Sequence, residues 1–234
     1  MNIKVGAIVL SRFDSSRLPG KALRQVNNKA LIEYVLEKAY KVKGLNGVCV
    51  ATSSRNIDDP IAEFCKQNDV PVFRGSGDNV AERFLKCMEW NGWDAAVRIN
   101  GDSPLHSSEL LSKALDIYSP DHMDMVTNVF PRSYPIGMSV ELVSQSALRR
   151  AFDKMVKASN FEHVTEYFYE NAKDFNLGFL PKNNIDHSKI SLAVDTQSNF
   201  ERFKWLIDEL GSEYLDANYQ NIIDLYISYE KHKS

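Results

Sequence analysis

Hydrophobic positions fall into short runs separated by polar turns, and the spacing within each run assigns it to strand or helix. Ile3 to Leu10 is a nearly continuous apolar run, closed by the polar, Pro- and Gly-bearing segment Ser11 to Gly20, the pattern of a strand buried on both faces. Leu31, Ile32, Val35, Leu36, Ala39 and Val42 then recur at the spacing of an amphipathic helix. A strand at Val48 to Ala51, a helix at Ile57 to Gln67 with Pro60 in its first turn, and a short strand at Val70 to Phe73 follow. Next come a helix from Asn79 to Trp90, a strand from Ala95 to Ile99, and a helix capped by Ser107 or Ser108 that runs to Tyr118. This alternation predicts an α/β fold, a mostly parallel sheet flanked by helices, in which a ligand sits beyond the carboxyl ends of the strands.

From about Met123 the alternation loosens. Pro131 and Pro135 lie close together, with short apolar runs at Met138 to Val143 and Phe175 to Leu180 and a helical stretch at Phe161 to Asn171. The pattern returns as a strand at Ile190 to Val194 and helices at Ser198 to Leu210 and Tyr219 to Lys231. The expectation is one domain over residues 1–234, with a smaller excursion at about 128–187.

Composition narrows the function classes. With 28 Lys+Arg against 31 Asp+Glu, the net charge of −3 lacks the basic footprint of a nucleic-acid-coating protein, while a nucleotide needs only a local basic site. The 44% hydrophobic and 25% charged content predicts folding throughout. Cys49, Cys65 and Cys87 are odd in number and widely spaced, and His106, His122, His187 and His232 form no ligand spacing with them, so buried reduced thiols are expected rather than a zinc site. The first apolar run is too short to span a membrane, and a cytoplasmic protein with no membrane partner is expected.

Three loops, each following a predicted strand, carry the candidate chemistry. In Ser11-Arg12-Phe13-Asp14-Ser15-Ser16-Arg17-Leu18-Pro19-Gly20-Lys21, three cations can neutralise phosphate oxygens while Ser15, Ser16 and the backbone near Gly20 donate hydrogen bonds. The Walker spacing is absent, and a basic surface turn is the alternative. In Asn100-Gly101-Asp102-Ser103-Pro104 the Asp suits a hard cation held against phosphates, or serves only as a turn residue. Asp195, after Val194 and before Thr196, repeats that arrangement or acts as an N-cap. Two carboxylates and a cationic loop from three strand ends can surround one metal-bound triphosphate, as in-line displacement at phosphorus requires.

The string Arg12-x-x-Ser15-x-Arg17-Leu18-Pro19-Gly20-Lys21 resembles the signature that opens the sugar-acid cytidylyltransferases, which include the Kdo and acylneuraminate enzymes. The strings Val50-Ala51-Thr52-Ser53, Phe73-Arg74-Gly75-Ser76, Arg98-x-x-Gly101-Asp102-x-Pro104-Leu105, Glu162-His163-Val164-Thr165 and Val194-Asp195-Thr196 resemble the spore coat polysaccharide (SpsF-like) branch. The resemblance implies a nucleotide-diphospho-sugar transferase-like fold, Mg²⁺ dependence, a homodimer, and transfer of CMP from CTP to a small anionic sugar with release of pyrophosphate. Carried over, Arg12, Ser15, Arg17 and Lys21 contact the triphosphate, with Arg12, Arg17, Lys21 and Asp102 as the catalytic set. Leu10, Ser11, Asn100 and Gly101 complete the nucleotide site, Thr52, Ser53, Arg74 and Ser76 approach the cytidine, and Asp102 and Asp195 hold the metal.

Three departures from the pattern stand out: Phe161 where an Arg is common, Ser139 in place of an Asp, and Gln197 with Asn199 in place of a Pro and an Asp. Arg132, Tyr134, Glu141, Glu162 and His163 are placed nearest the acceptor. His163 is suited to orient or deprotonate a hydroxyl or to bind a carboxylate, and equally to pack as a hydrogen-bonded residue on its helix. The rival readings are a nucleotidyltransferase for a phosphorylated or phosphonate acceptor, a glycosyltransferase, whose D-x-D motif the chain lacks, and a non-catalytic CTP-binding protein.

Overall fold

The computed structural model describes residues 3–233. Strand β1 (Val5–Leu10) is followed by a long loop and by the hairpin β2 (Gln25–Val26) and β3 (Lys29–Ala30), which leads into α1 (Leu31–Tyr40). Then come β4 (Val48–Ser53), α2 (Asp59–Gln67), β5 (Val72–Gly75), α3 (Val80–Asn91), β6 (Ala95–Asn100) and α4 (Ser108–Ile117). The second half supplies β7 (Met125–Thr127), β8 (Glu141–Ser144), α5 (Gln145–Phe152), α6 (Ala158–Glu162), α7 (Glu166–Glu170), β9 (Leu177–Phe179), α8 (Gln197–Leu210) and α9 (Tyr219–Lys233).

Seven strands form one sheet in the order β5-β4-β1-β6-β8-β7-β9. The β5-β4-β1-β6 half is parallel, and β6 pairs with β8 antiparallel. Alternation along the strands divides the core into two layers. Ala7 and Val9 face Leu31, Val35, Leu110 and Phe203, whereas Ile8 and Leu10 face Phe84, Met88, Leu148 and Phe168. A parallel half-sheet covered on both faces needs such uniformly apolar strands, and every residue of β1 and β4 is buried.

The differences from the predicted elements have local causes. The third strand begins at Val72 rather than Val70: Asp69 is left-handed at φ 54°, and Pro71 has no N–H for the ladder, so only its carbonyl is used, by Val50 N. Residues 128–187 supply β8 and β9 to the main sheet together with α5, α6 and α7. The expected helix from Phe161 to Asn171 is two short ones, broken where His163 adopts φ −107°, ψ 83°. Residues 190–194 run extended but form only an isolated bridge, Ile136 to Ser191, because Gly137 turns the partner chain away at φ 97°. The three cysteines are free and buried.

Behind the loop after β6, His106 is buried with neither ring nitrogen hydrogen-bonded, and the buried Lys38 lies near enough to oppose its protonation. Burial, then the Lys38 charge, pushes the imidazole pKa down to about 3. The unfolded chain therefore binds a proton that the native one refuses between pH ~6.5 and about 3. Stability is complete above that window and falls inside it by up to about 1.4 kcal/mol per pH unit. Urea midpoints at pH 7 and pH 5 are expected to lie closer together in His106→Gln than in the native chain; parallel shifts would assign the acid sensitivity elsewhere.

Candidate active site

The cleft lies at the carboxyl ends of β1 and β6 and encloses about 440 Å³. Its first wall is the loop after β1. That loop closes on itself through Gly20 N donating to Phe13 O (3.0 Å), with Gly20 left-handed at φ 66°. A Cβ there would also sit 3.1 Å from the Phe13 ring, so glycine is required on both counts. Asp58, fully buried, anchors the same loop by accepting from Phe13 N at 2.6 Å, and it is itself held by Ser53 Oγ and by Arg55 at 3.3 Å. At the second wall, Gly101 N donates to Leu10 O at 2.8 Å. A Cβ on Gly101 would lie 2.9 Å from Ser11 Oγ, so the two strand ends meet only because residue 101 is glycine.

Lys21 is the centre of the cleft. Its Nζ donates to Asp102 Oδ2 and to Asp195 Oδ1, each at 2.8 Å, and Arg17 meets Asp195 Oδ2 at 3.1 Å. A main-chain bond sets the spacing of the two carboxylates, because Val194 N donates to Asp102 O at 2.8 Å. Asn199 Oδ1 accepts from the N–H groups of Asp195 and Thr196 while Thr196 Oγ1 accepts from Asn199 N, a reciprocal cap that fixes the turn bearing Asp195. Arg12 spans the cleft to Glu162 (3.1 Å) and donates to Gly77 O (3.2 Å).

The structure thus gathers Leu10, Ser11, Arg12, Ser15, Arg17 and Lys21 with Asn100, Gly101, Asp102, Glu162, His163 and Asp195 on one cleft wall or another. Thr52, Ser53, Arg74 and Ser76 are not among its lining residues. Thr52 and Ser53 are buried, Arg74 pairs with Asp59 at 2.6 Å, and Ser76 Oγ accepts from Asn79 N at the start of α3. Arg132 donates to Ser139 Oγ at 3.1 Å and Tyr134 to Pro181 O at 3.1 Å, and neither lines the cleft. Glu141 lies behind Arg98, and its carboxylate is ion-paired with it.

Two cleft cations were given no role from the sequence, although Arg98 opens one of the quoted strings. Arg83, 1% exposed, has no carboxylate in contact. Its Nη1 donates to Ser76 O at 2.5 Å, Nε is unpartnered, and burial followed by the Arg12 charge lowers its pKa to about 10. Arg98 is the other. The available signal was a cation at an apolar-face position of the helix for Arg83, beside Val80, Phe84 and Cys87, and a lone cation in the apolar run Ala95 to Ile99 for Arg98.

The cleft wall carries five basic side chains and four carboxylates, which leaves too little positive charge to neutralise a triphosphate. Among the described residues no group of three or more His, Cys, Asp or Glu can cage a metal ion. Two convergent carboxylates do fit Mg²⁺, which takes one or two protein carboxylates and completes its shell from phosphates and water. Among the described residues no helix is long and apolar enough to cross a membrane.

Comparison with known proteins agrees with this geometry. The chain is 28% identical over 225 residues to the spore coat polysaccharide biosynthesis protein SpsF of Bacillus subtilis, covering 93% of this chain and 92% of that protein. A 111-residue stretch, 45% of this chain and 42% of the relative, is 36% identical to 3-deoxy-manno-octulosonate cytidylyltransferase of Acinetobacter baumannii. The solved structure of a cytidylyltransferase from Leptospira borgpetersenii superimposes with a TM-score of 0.91 at 30% identity, covering 98% of this chain and 96% of that one. With the cytidylyltransferase family pattern matched from residue 6 to residue 230, across the loop after β1 and both Asp102 and Asp195, the chain belongs to that family.

Proposed function

We propose that the protein transfers CMP from CTP to a sugar acid with release of pyrophosphate, and that Mg²⁺ accompanies the triphosphate. The convergence of Lys21 with Asp102 and Asp195 beside the Arg12–Lys21 loop carries this reading. In it, Arg12, Arg17 and Lys21 exchange carboxylate partners for phosphate oxygens, and Lys21 offsets the charge that moves onto the departing pyrophosphate. Asp102 and Asp195, released from Lys21, hold the metal, which when bound supplies Lewis-acid charge on the phosphate oxygens. The acceptor hydroxyl approaches the α-phosphorus from the side of Glu162 and His163, where His163 orients it or takes its proton.

Asp102→Asn keeps the shape of the side chain and removes its charge. Its expected result is a fall in turnover of about 10²-fold or more with CTP affinity changed by only about threefold, read by pyrophosphate release and by calorimetric CTP titration. Near-normal turnover would remove Asp102 from the metal site. A panel of sugar acids and sugar phosphates, run with CTP, UTP, GTP and ATP, separates this reading from the phosphorylated-acceptor one. The reading includes action in the cytoplasm and a homodimer formed through residues 128–187, which expose Phe130, Ile136, Phe179 and Ile185. Sedimentation of a monomer at assay concentration would overturn the dimer.

A further inference from the structure

We propose that Arg98 binds the carboxylate of the acceptor and that Glu141, Thr165 and Tyr169 position it; the assignment rests on the sugar-acid reading above. Arg98 and Asn100 are two apart on β6, so their side chains leave the sheet on the same face, and both line the cleft. Asp102 sits in the turn that follows the strand, which ties the Arg98 guanidinium to the proposed reacting end of the cleft through four residues of main chain.

The way Arg98 is held distinguishes it from the other cations. Arg12, Arg17 and Lys21 are each paired with a carboxylate that itself lines the cleft, the arrangement of groups that rearrange when nucleotide enters. Arg98 is gripped from behind. Its Nη1 meets Glu141 Oε2, while Glu141 Oε1 accepts from Thr165 Oγ1 at 2.5 Å and from Tyr169 OH at 2.7 Å. Glu141 is 3% exposed and outside the cleft wall, so the pair cannot swing apart without stranding a buried charge. The guanidinium is pre-organised, with Nε unpartnered and donors left over on a planar fork that matches a carboxylate.

Charge balance points the same way. Arg132 lies close enough to interact with both Glu141 and Arg98, yet its own hydrogen bonds go to a hydroxyl, Ser139 Oγ, and a carbonyl, Pro135 O. Only Arg98 is ion-paired with the buried Glu141 carboxylate while Arg132 lies nearby, so the two guanidiniums carry one positive charge beyond it, and a carboxylate arriving at Arg98 from the cleft completes the set. Thr165 is the N-cap residue of α7 and Tyr169 follows four residues later on the same helix face, so both hydroxyls reach one oxygen of Glu141.

The test uses 3-deoxy-manno-octulosonate and N-acetylneuraminate, each as free acid and as methyl ester, titrated into protein loaded with Mg²⁺ and α,β-methylene-CTP, alongside pyrophosphate release with CTP. The native protein is expected to prefer acid over ester by about tenfold or more, and Arg98→Gln to reduce that preference to about twofold with CTP affinity unchanged. Tyr169→Phe is expected to raise the acceptor KM by about threefold to tenfold while leaving kcat and CTP affinity near native, a split that a general loss of packing would not produce. Where Arg98→Gln fails to fold because Glu141 is stranded, Arg98→Gln with Glu141→Gln restores charge balance and carries the same measurement. An acid preference that survives in the variant, beside native turnover of a sugar acid, overturns the Arg98 assignment and leaves the sugar-acid reading standing. A native protein that binds CTP but neither binds nor turns over any acid overturns both.

Discussion

Lys21→Met lowers turnover by about 10³-fold and weakens CTP binding as well, the largest loss of activity expected from any single substitution in the cleft. Methionine preserves the unbranched apolar stem, so the change isolates the ammonium. In the native chain that ammonium lies 2.8 Å from both Asp102 and Asp195 and its side chain is 13% exposed, which makes it the charge that lets two carboxylates share one corner. Without it they repel each other in a site that water screens poorly, and the departing pyrophosphate loses its nearest fixed cation. The contrast with Asp102→Asn is diagnostic, because Asn at 102 leaves Lys21 paired with Asp195 and leaves the phosphate loop charged. Pyrophosphate release and CTP titration on both variants read the difference. A Lys21→Met enzyme within tenfold of native turnover would show that Lys21 serves to pair carboxylates and not to stabilise the leaving group.

Glu141→Ala has the largest expected effect on stability, about 3–5 kcal/mol, measured as a fall in the midpoint of chemical unfolding. Burial alone would push the Glu141 carboxyl up. The Arg98 charge and the hydroxyls of Thr165 and Tyr169 outweigh burial and hold it below the usual carboxylate range, so the buried group is ionised. Alanine strands the Arg98 guanidinium and frees two hydroxyls at once. Glu141→Gln keeps an acceptor for those hydroxyls and should cost less. Arg98→Met combined with Glu141→Leu should cost less than Glu141→Ala, since neither charge is left unpaired. Equal losses in all three variants would mean that packing rather than charge carries the stability of this cluster.

The parallel half of the sheet was legible because its evidence is local. Strands β1 and β4 are buried throughout and open on unbroken apolar runs, and two helix starts carry their own caps: Asn79 accepts from Glu82 N and Ser107 from Leu110 N. The cationic loop was legible for the same reason, since Arg12 to Lys21 is one contiguous string, and the structure places Arg12, Ser15, Ser16, Arg17 and Lys21 on the cleft wall. The hairpin of β2 and β3 went unread although Asn27 and Asn28 both turn left-handed, at φ 49° and 62°, residue types suited to a tight two-residue turn. Strand β7 is three residues long, and α5 buries only Ala147, Leu148 and Ala151, too little apolar signal to separate from a loop. The hold of Asp58 on the first loop was not legible because its partner, the N–H of Phe13, is 45 residues away, and Arg83 was missed because its partner is a main-chain carbonyl, that of Ser76 in the loop before its helix. Asn199, seen only as a departure from an acidic pattern, is the residue that fixes the turn bearing Asp195.

The main-chain bond from Val194 to Asp102 has a consequence for how the protein is made. Half of the catalytic corner is encoded within the first 102 residues, and the other half arrives with Asp195, after the antiparallel strands have been laid down. On the proposed reading, a chain emerging from the ribosome by its amino end can form the loop after β1 early, but the second carboxylate joins the first only when most of its length is out.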